Sequence, residues 1–353
     1  MTRVLAVSTV FPPHRYPQAD ITDALARCLP SGSDSGLLRR VHSSVQVDTR
    51  HLALPLDDYG QLGGFGRSNN AYLEAAFDLG VKALELALTE AGMTADEIDL
   101  VVSTSVTGVA TPSLEARLAA TVGLRRDVRR VPLFGLGCAG GAAGVARVHD
   151  YLTGRPDQVA LLLSAELCSL TLQPSDTSMA NLVAGALFGD GAAALLAVGR
   201  DHPRHGDASG PLVVDSRSRL YPGTEHLLGW DVGEWGFRMV LGSDLPDVIR
   251  LNVCEEIMSF LRGHDLKPLD LGAWVCHPGG PKVLDVLADG LGLPWQAFER
   301  SRRSLAQAGN LSSASVLHVL RDTLTAGPPE PGSAGLLLAF GPGVSSELVL
   351  LRW

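Results

Sequence analysis

The chain lacks several features that would assign it quickly. Its five cysteines, at positions 28, 138, 168, 254 and 276, are odd in number, irregularly spaced and without a Cys-x-x-Cys pair. Neither a disulfide framework nor a zinc module is indicated, no metal is expected, and a reducing cytoplasm fits best. No apolar run reaches the length of a membrane span. Residues 1–10 are apolar and closed by Pro12 and Pro13, with no long apolar core and no small-residue cleavage site. They read as a first strand rather than a secretion signal. Positive charge is scarce: 29 Lys and Arg stand against 38 Asp and Glu, a net charge of −9. This argues against a general binder of nucleic acid or anionic membrane, but leaves room for a local basic patch facing a phosphorylated ligand. No low-complexity tract or heptad repeat appears. What remains is 353 residues, 46% hydrophobic and 19% charged, enough for a large core in two domains or one duplicated one.

Apolar β-type runs alternate with helical patterns, which predicts an α/β fold. The first half reads as helix 81–90, strand 99–105, helix 113–122, a run 131–135 leading into a helix to about 152, and strands 159–165 and 192–198. The second half repeats the order: strand 271–276, helix 282–290, helix 310–324, strands 335–340 and 347–351. A Gly-, Pro- and charge-rich loop at 199–210 separates two units, 1–210 and 211–353, and 325–333 reads as a surface connection.

Cys138 and Asn310 each follow a glycine and open a small-residue helical run, Gly-Cys-Ala-Gly-Gly (137–141) and Gly-Asn-Leu-Ser-Ser (309–313). His277 ends the strand-like run Ala-Trp-Val-Cys-His-Pro, and Ser105 ends its counterpart in the first half. Both pairs are 172 residues apart (310 − 138 and 277 − 105). A duplication folded on itself would bring a thiol, an imidazole and an amide to one centre. A cysteine at a helix N-terminus feels the positive end of the dipole, which favours thiolate, and a nearby imidazole would add to that; alternatively it is a buried, inert packing residue. His277 either donates to a carbonyl at the end of a sheet strand or closes a turn. Asn310 either donates its amide to a developing oxyanion or caps its helix.

Five segments in order carry a resemblance: Gly-Cys-Ala-Gly-Gly (137–141), Ala-Leu-Phe-Gly-Asp-Gly-Ala-Ala-Ala (186–194), Cys-His-Pro-Gly-Gly (276–280), Gly-Asn-Leu-Ser-Ser-Ala-Ser (309–315) and Phe-Gly-Pro-Gly (340–343). Together they resemble the chalcone synthase superfamily, the type III polyketide synthases. The resemblance implies a thiolase fold, a duplicated five-layer αβαβα arrangement, acting as a homodimer. It implies Cys138 as nucleophile, His277 and Asn310 as the other catalytic residues, and Phe188 as an aromatic gatekeeper. A second gatekeeper position is Met239, and an interface position is Thr111. It further places Cys168, Thr171, Ser312 and Gly341 at the substrate, and Gly279, Gly280 and Gly309 near coenzyme A. For the CoA phosphates Arg40 matches, Ser44 stands where the family has a lysine, and Arg39 and Arg50 are candidates to compensate.

The segments Pro-Leu-Phe-Gly-Leu-Gly-Cys (132–138), Glu-Leu-Cys-Ser-Leu-Thr (166–171) and Leu-Gly-Trp-Asp-Val-Gly (228–233) are similar to bacterial alkylpyrone and alkylresorcinol synthases. Small residues at Thr111 and Cys168 would leave room for an acyl tunnel. The implied reaction is iterative decarboxylative condensation of malonyl-CoA onto an acyl-CoA starter, then ring closure. No cofactor is implied, with CoA thioesters as substrates. The alternatives are a small phenolic ring made from malonyl-CoA alone, a single condensation of the ketoacyl carrier-protein synthase III kind, and a non-catalytic acyl-binding subunit.

Overall fold

The structure, a computed structural model, describes residues 1–30, 33–206 and 210–353. Residues 207–209 of the loop expected between the halves lie outside the described residues. A nine-stranded sheet runs in the order Leu271–Cys276, Ala334–Gly341, Ser345–Arg352, Leu212–Leu220, Thr2–Val10, Asp190–Val198, Val159–Leu167, Leu100–Thr104, Arg129–Leu133. The order is palindromic about its middle. On each side of the junction, two antiparallel pairings are followed by one parallel pairing. The halves are stitched where Thr2 and Arg3 pair with Val213 and Leu212. The first half carries one extra strand, Arg129–Leu133, at its outer edge.

The apolar pattern explains the layers. Val159–Leu167 and Asp190–Val198 are buried at every position, as expected for strands covered on both faces. On one side Phe65–Ala91 and Leu114–Val122 cover the first half-sheet. Between the half-sheets lie Gly140–Gly154 and Ser315–Thr325, whose Val145, Val148, Val316 and Leu320 share a core. Outside the second half-sheet lie Cys254–Arg262 and Pro281–Leu291. This is the five-layer, thiolase-like αβαβα arrangement. A Cβ on Gly141 would sit 2.2 Å from the Ser313 carbonyl oxygen, so the two central segments meet only because glycine is there. Among the described residues, no helix is long and apolar enough to cross a membrane.

The structure differs from the periodicity in several places. The helix expected at 81–90 begins at Phe65. Its polar opening turns hide a face on which Tyr72, Ala76 and Leu79 are buried, and that packing overrides weak propensity. The hairpin Leu228–Gly233 with Gly236–Leu241 was not expected, because its glycines and charges break the alternation. The expected helix 310–324 is a one-turn 3₁₀ segment, Ser312–Ala314, followed by Ser315–Thr325, and Asn310 precedes both.

Candidate active site

Cys138 lies inside a single 3₁₀ turn, Gly137–Ala139, that feeds the helix Gly140–Gly154. Its Sγ is 3.8 Å from Ser312 Oγ and 4.0 Å from Asn310 Oδ1. The second half therefore reaches across the central layer to the thiol of the first. Enclosure pushes the thiol up to about 12, and the nearby Glu166 carboxylate acts in the same direction. The hydrogen bonds of Ser312 and Asn310 act the other way. The thiolate expected from the helix end is thus opposed by enclosure. Nor is the expected imidazole partnership present, since His277 makes no hydrogen bond to Cys138.

Asn310 is held by its backbone. Its N–H donates to the Leu187 carbonyl (2.7 Å), and its carbonyl accepts from the Gly189 N–H (3.0 Å), a one-residue bridge beside Phe188. Its Oδ1 accepts the Ser312 N–H at 2.8 Å. The cap and the donor are therefore separate atoms of one side chain: Oδ1 closes the turn, and the amide Nδ2 makes no hydrogen bond within the described residues. Gly309 before it sits at φ 75°, where a Cβ would meet the Leu187 carbonyl oxygen at 2.5 Å.

His277 follows the strand Leu271–Cys276, its N–H donating to the Leu338 carbonyl at 2.9 Å. The ring is buried and Nδ1 is enclosed, with no partner among the described residues. Burial pushes its pKa down to about 3, so the ring is neutral across the physiological range. Cys138, His277 and Asn310 line one cavity, whose apolar walls include Phe188, Met239 and Phe340. A second cavity shares Cys138, Phe188 and Met239 and continues past Trp230, Ser312 and Pro342. Phe188 and Met239 thus stand between two spaces that both open on the thiol.

Beneath this wall lies a fully buried carboxylate. Glu166 accepts from Ser105 Oγ (3.0 Å), the Val106 N–H (3.1 Å) and Thr107 Oγ1 (2.8 Å), and on its other oxygen from Ser313 Oγ. Burial raises its pKa. It ties the loop after Leu100–Thr104 to the turn after Asn310. Sequence reasoning missed Glu166 as a site residue, although a lone acid closing the apolar run 159–167 is a signal. It also missed Trp230, whose ring is 6.4 Å from that of Phe188.

The other expected residues are spread more widely. Gly279 lines the first cavity, and Gly280 starts the helix Pro281–Leu291. Gly341 is buried against Ala139 and lines neither space. Cys168 is buried and also lines neither, while its carbonyl accepts from Thr171 Oγ1 at 2.7 Å. Thr171 faces a separate pocket with Phe65, Trp235 and Phe237. Thr111 is exposed on the surface. Arg39 and Arg40 are exposed and pair with Asp23 (2.7 Å) and Asp34 (3.4 Å). Arg50 contradicts its expected place on the CoA surface. It is 1% exposed, with Nε bonded to Gln18, Nη1 to the Phe188 carbonyl, and Nη2 buried with no partner among the described residues, so no phosphate reaches it from the surface.

Comparison with known proteins gives a consistent picture. The family model described as "Chalcone and stilbene synthases, N-terminal domain" matches residues 1–202, and its C-terminal counterpart matches 212–353. The chain is 58% identical to a 1,3,6,8-tetrahydroxynaphthalene synthase of Streptomyces peucetius subsp. caesius, covering 100% of this chain and 93% of that protein. It is 33% identical to a putative chalcone synthase of Bacillus subtilis, covering 100% and 99%. Among solved structures, the 1,3,6,8-tetrahydroxynaphthalene synthase of Streptomyces coelicolor A3(2), a bacterial type III polyketide synthase, superposes with a TM-score of 0.93 at 32% identity, covering 99% of each chain.

Proposed function

From the premise that this chain belongs to the chalcone and stilbene synthases, the type III polyketide synthases, we propose that it builds a hydroxylated aromatic ring from malonyl-CoA at the Cys138 cavity. That it is an acyltransferase of the chalcone synthase type follows from the family, and the proposal concerns substrate, residues and product. The observation that carries it is the convergence of one thiol, one neutral imidazole and one free amide donor on an apolar space.

In loading, Cys138 sulfur attacks a CoA thioester carbonyl, the bond to CoA breaks, and the proton lost by the thiol ends on the departing CoA sulfur. In extension, malonyl-CoA loses CO₂. The electrons of that bond remain on the α-carbon as an enolate, whose oxygen accepts from Asn310 Nδ2 and His277 Nε2. The carbanion attacks the acyl thioester on Cys138 and expels the sulfur, which takes up the lengthened chain again. No bond at Nδ1 fixes the ring proton there, so Nε2 can carry it and donate in extension. Apolar walls at Phe188 and Met239 favour loss of a carboxylate, which is less stable there than CO₂. Coenzyme A is substrate and leaving group in this scheme, and no further cofactor enters it.

For the product, the 58% relative supports a polyhydroxylated naphthalene. Oxygens on alternate carbons of such a ring are what joined two-carbon units leave behind. The aromatic faces of Phe188 and Trp230 suit a flat intermediate. Cys168 and Thr111, on which an alkyl tunnel was expected, lie outside both cavities in this chain. We also propose a homodimer in the cytoplasm. Its supporting surface is the edge strand Arg129–Leu133, whose outer side has no strand partner among the described residues, with Val131, Phe134 and Val109 exposed at 39%, 56% and 42%, which a second copy would cover.

The test is mass spectrometry of products from malonyl-CoA alone and with a panel of acyl-CoAs. A tetrahydroxynaphthalene or kindred phenol from malonyl-CoA alone is expected. Products only with a long acyl-CoA would return the assignment to alkylpyrone or alkylresorcinol formation. A need for carrier protein would favour a single-condensation enzyme.

A further inference from the structure

Arg50 is the largest fully buried charged side chain, and nothing in the reaction above uses it. Its Nη1 donates to the Phe188 carbonyl at 2.7 Å and its Nε to Gln18 Oε1 at 2.9 Å. Gln18 in turn donates through Nε2 to the Ala186 carbonyl at 2.9 Å. The pair therefore holds two carbonyls of the Ala186–Phe188 segment. The same segment flanks Asn310, whose backbone bonds Leu187 on one side and Gly189 on the other. Arg50 also packs under Gly309, where its Cγ and Cδ lie 3.2 Å from the position a Cβ would take. Gln18 is rooted through Thr22, whose hydroxyl donates to the Gln18 carbonyl (2.7 Å) and meets His42 Nδ1 (2.8 Å). The hydroxyl has one hydrogen, already used, so His42 Nδ1 carries the proton and donates.

We propose that Arg50, braced by Gln18, is a positioning residue: it fixes the Phe188 wall and the Asn310 donor as one unit, setting the rate of enolate formation without touching substrate. The proposal rests on the reading of Asn310 as an oxyanion donor. A planar fork can hold the Phe188 carbonyl and Gln18 at once, whereas a lysine offers a single ammonium on a flexible stem.

The experiment compares the wild type, Arg50→Lys and Gln18→Met. Two partial reactions are measured: CO₂ release from malonyl-CoA, and alkylation of Cys138 by iodoacetamide. For Arg50→Lys, kcat for CO₂ release is expected to fall about 10–100-fold with KM little changed, as for a reacting group displaced by a fraction of an ångström to an ångström. Alkylation of Cys138 should remain at the wild-type rate. Gln18→Met, which removes the brace and leaves the arginine itself unchanged, should show a smaller loss with the same split, and it decides the matter if the lysine variant does not fold. If both folded variants keep full CO₂ release, or lose both partial reactions in equal proportion, the brace is overturned. A wild type that releases no CO₂ from malonyl-CoA overturns the reading of the site itself, and the brace with it.

Discussion

The two halves of the molecule share a frame and differ in what they present on it. Ser105 and His277 both follow the strand that pairs in parallel with its neighbour. In the first half that position is polar and saturated, because Ser105 donates to buried Glu166. In the second half the ring of His277 is left with an unpartnered Nδ1, and Phe340 lies where the matched pairing register puts Glu166. Cys138 sits within its 3₁₀ turn, whereas Asn310 lies before its own, extended beside Phe188. The duplicated frame thus supplies positions, and divergence supplies roles: one half holds the nucleophile over a hydrogen-bonded floor, the other holds two donors in an apolar wall. A donor in such a wall interacts strongly with developing charge, since little water competes.

This contrast can be broken directly. His277→Ser writes the first half's residue into the second. CO₂ release from malonyl-CoA should fall on the order of 10²–10³-fold, the usual cost of losing one oxyanion donor, while the thermal midpoint stays near wild type. An undiminished rate would mean that the imidazole only fills space.

Glu166→Leu tests the floor of the other half. It leaves the hydroxyls of Ser105, Thr107 and Ser313 without their shared acceptor, and stability should drop by about 3 kcal/mol. Glu166→Gln, which keeps an acceptor oxygen, should lose less. Equal urea midpoints for wild type and Glu166→Leu would contradict this.

Acid should weaken the fold by a smaller amount per pH unit. Burial pushes His42 and His277 down to about 3 and His318 to about 4. Below the ordinary histidine value near 6.5, the unfolded chain takes up these protons first, so stability present above that pH is lost as pH falls toward 4. Asp190, raised to about 6 by burial, acts oppositely, because its folded form is protonated first. Glu166 and Glu347, also raised by burial, act with Asp190, and His51, His149, His202 and His205, lowered by burial, act with the other histidines, so seven histidines outweigh three carboxylates, at about 1.4 kcal/mol per pH unit for each uncompensated proton. Urea midpoints that rise between pH 7 and 5 would overturn this balance. The smallest effect is a null one. CO₂ release from malonyl-CoA should be flat between pH 6 and 8, because His277 stays neutral there and Asn310 does not titrate. A step near the ordinary histidine value would contradict the buried, neutral ring.

Much of this arrangement was legible in the chain. The glycine-framed cysteine and asparagine, the strand-ending histidine and their common spacing identify residues that the structure brings to one cavity. The alternation of apolar strands with helical patterns pointed to an α/β class, and the thiolase-like layers were implied by the family resemblance. Arg50 was misplaced because an arginine among polar residues at 48–51 reads as surface, and its partners Gln18 and Phe188 are 32 and 138 positions away. Periodicity reports which faces are apolar. It does not report where a buried charge finds its hydrogen bonds. Glu166 escaped for the same reason, and the hairpin carrying Trp230 and Met239 because its glycines hide the alternation. The product-level reading from Thr111 and Cys168 depended on cavity shape, which one-dimensional spacing does not contain.

The central claim is a division of labour between the halves, and it is tested most directly by measuring CO₂ release from malonyl-CoA in Cys138→Ala and Asn310→Ala side by side. Cys138→Ala should keep releasing CO₂ while taking up no acyl label, and Asn310→Ala should take up label while CO₂ release collapses. If Asn310→Ala released CO₂ at the wild-type rate, or if removing the thiol alone stopped it, the assignment of nucleophile and donors to opposite halves would be wrong.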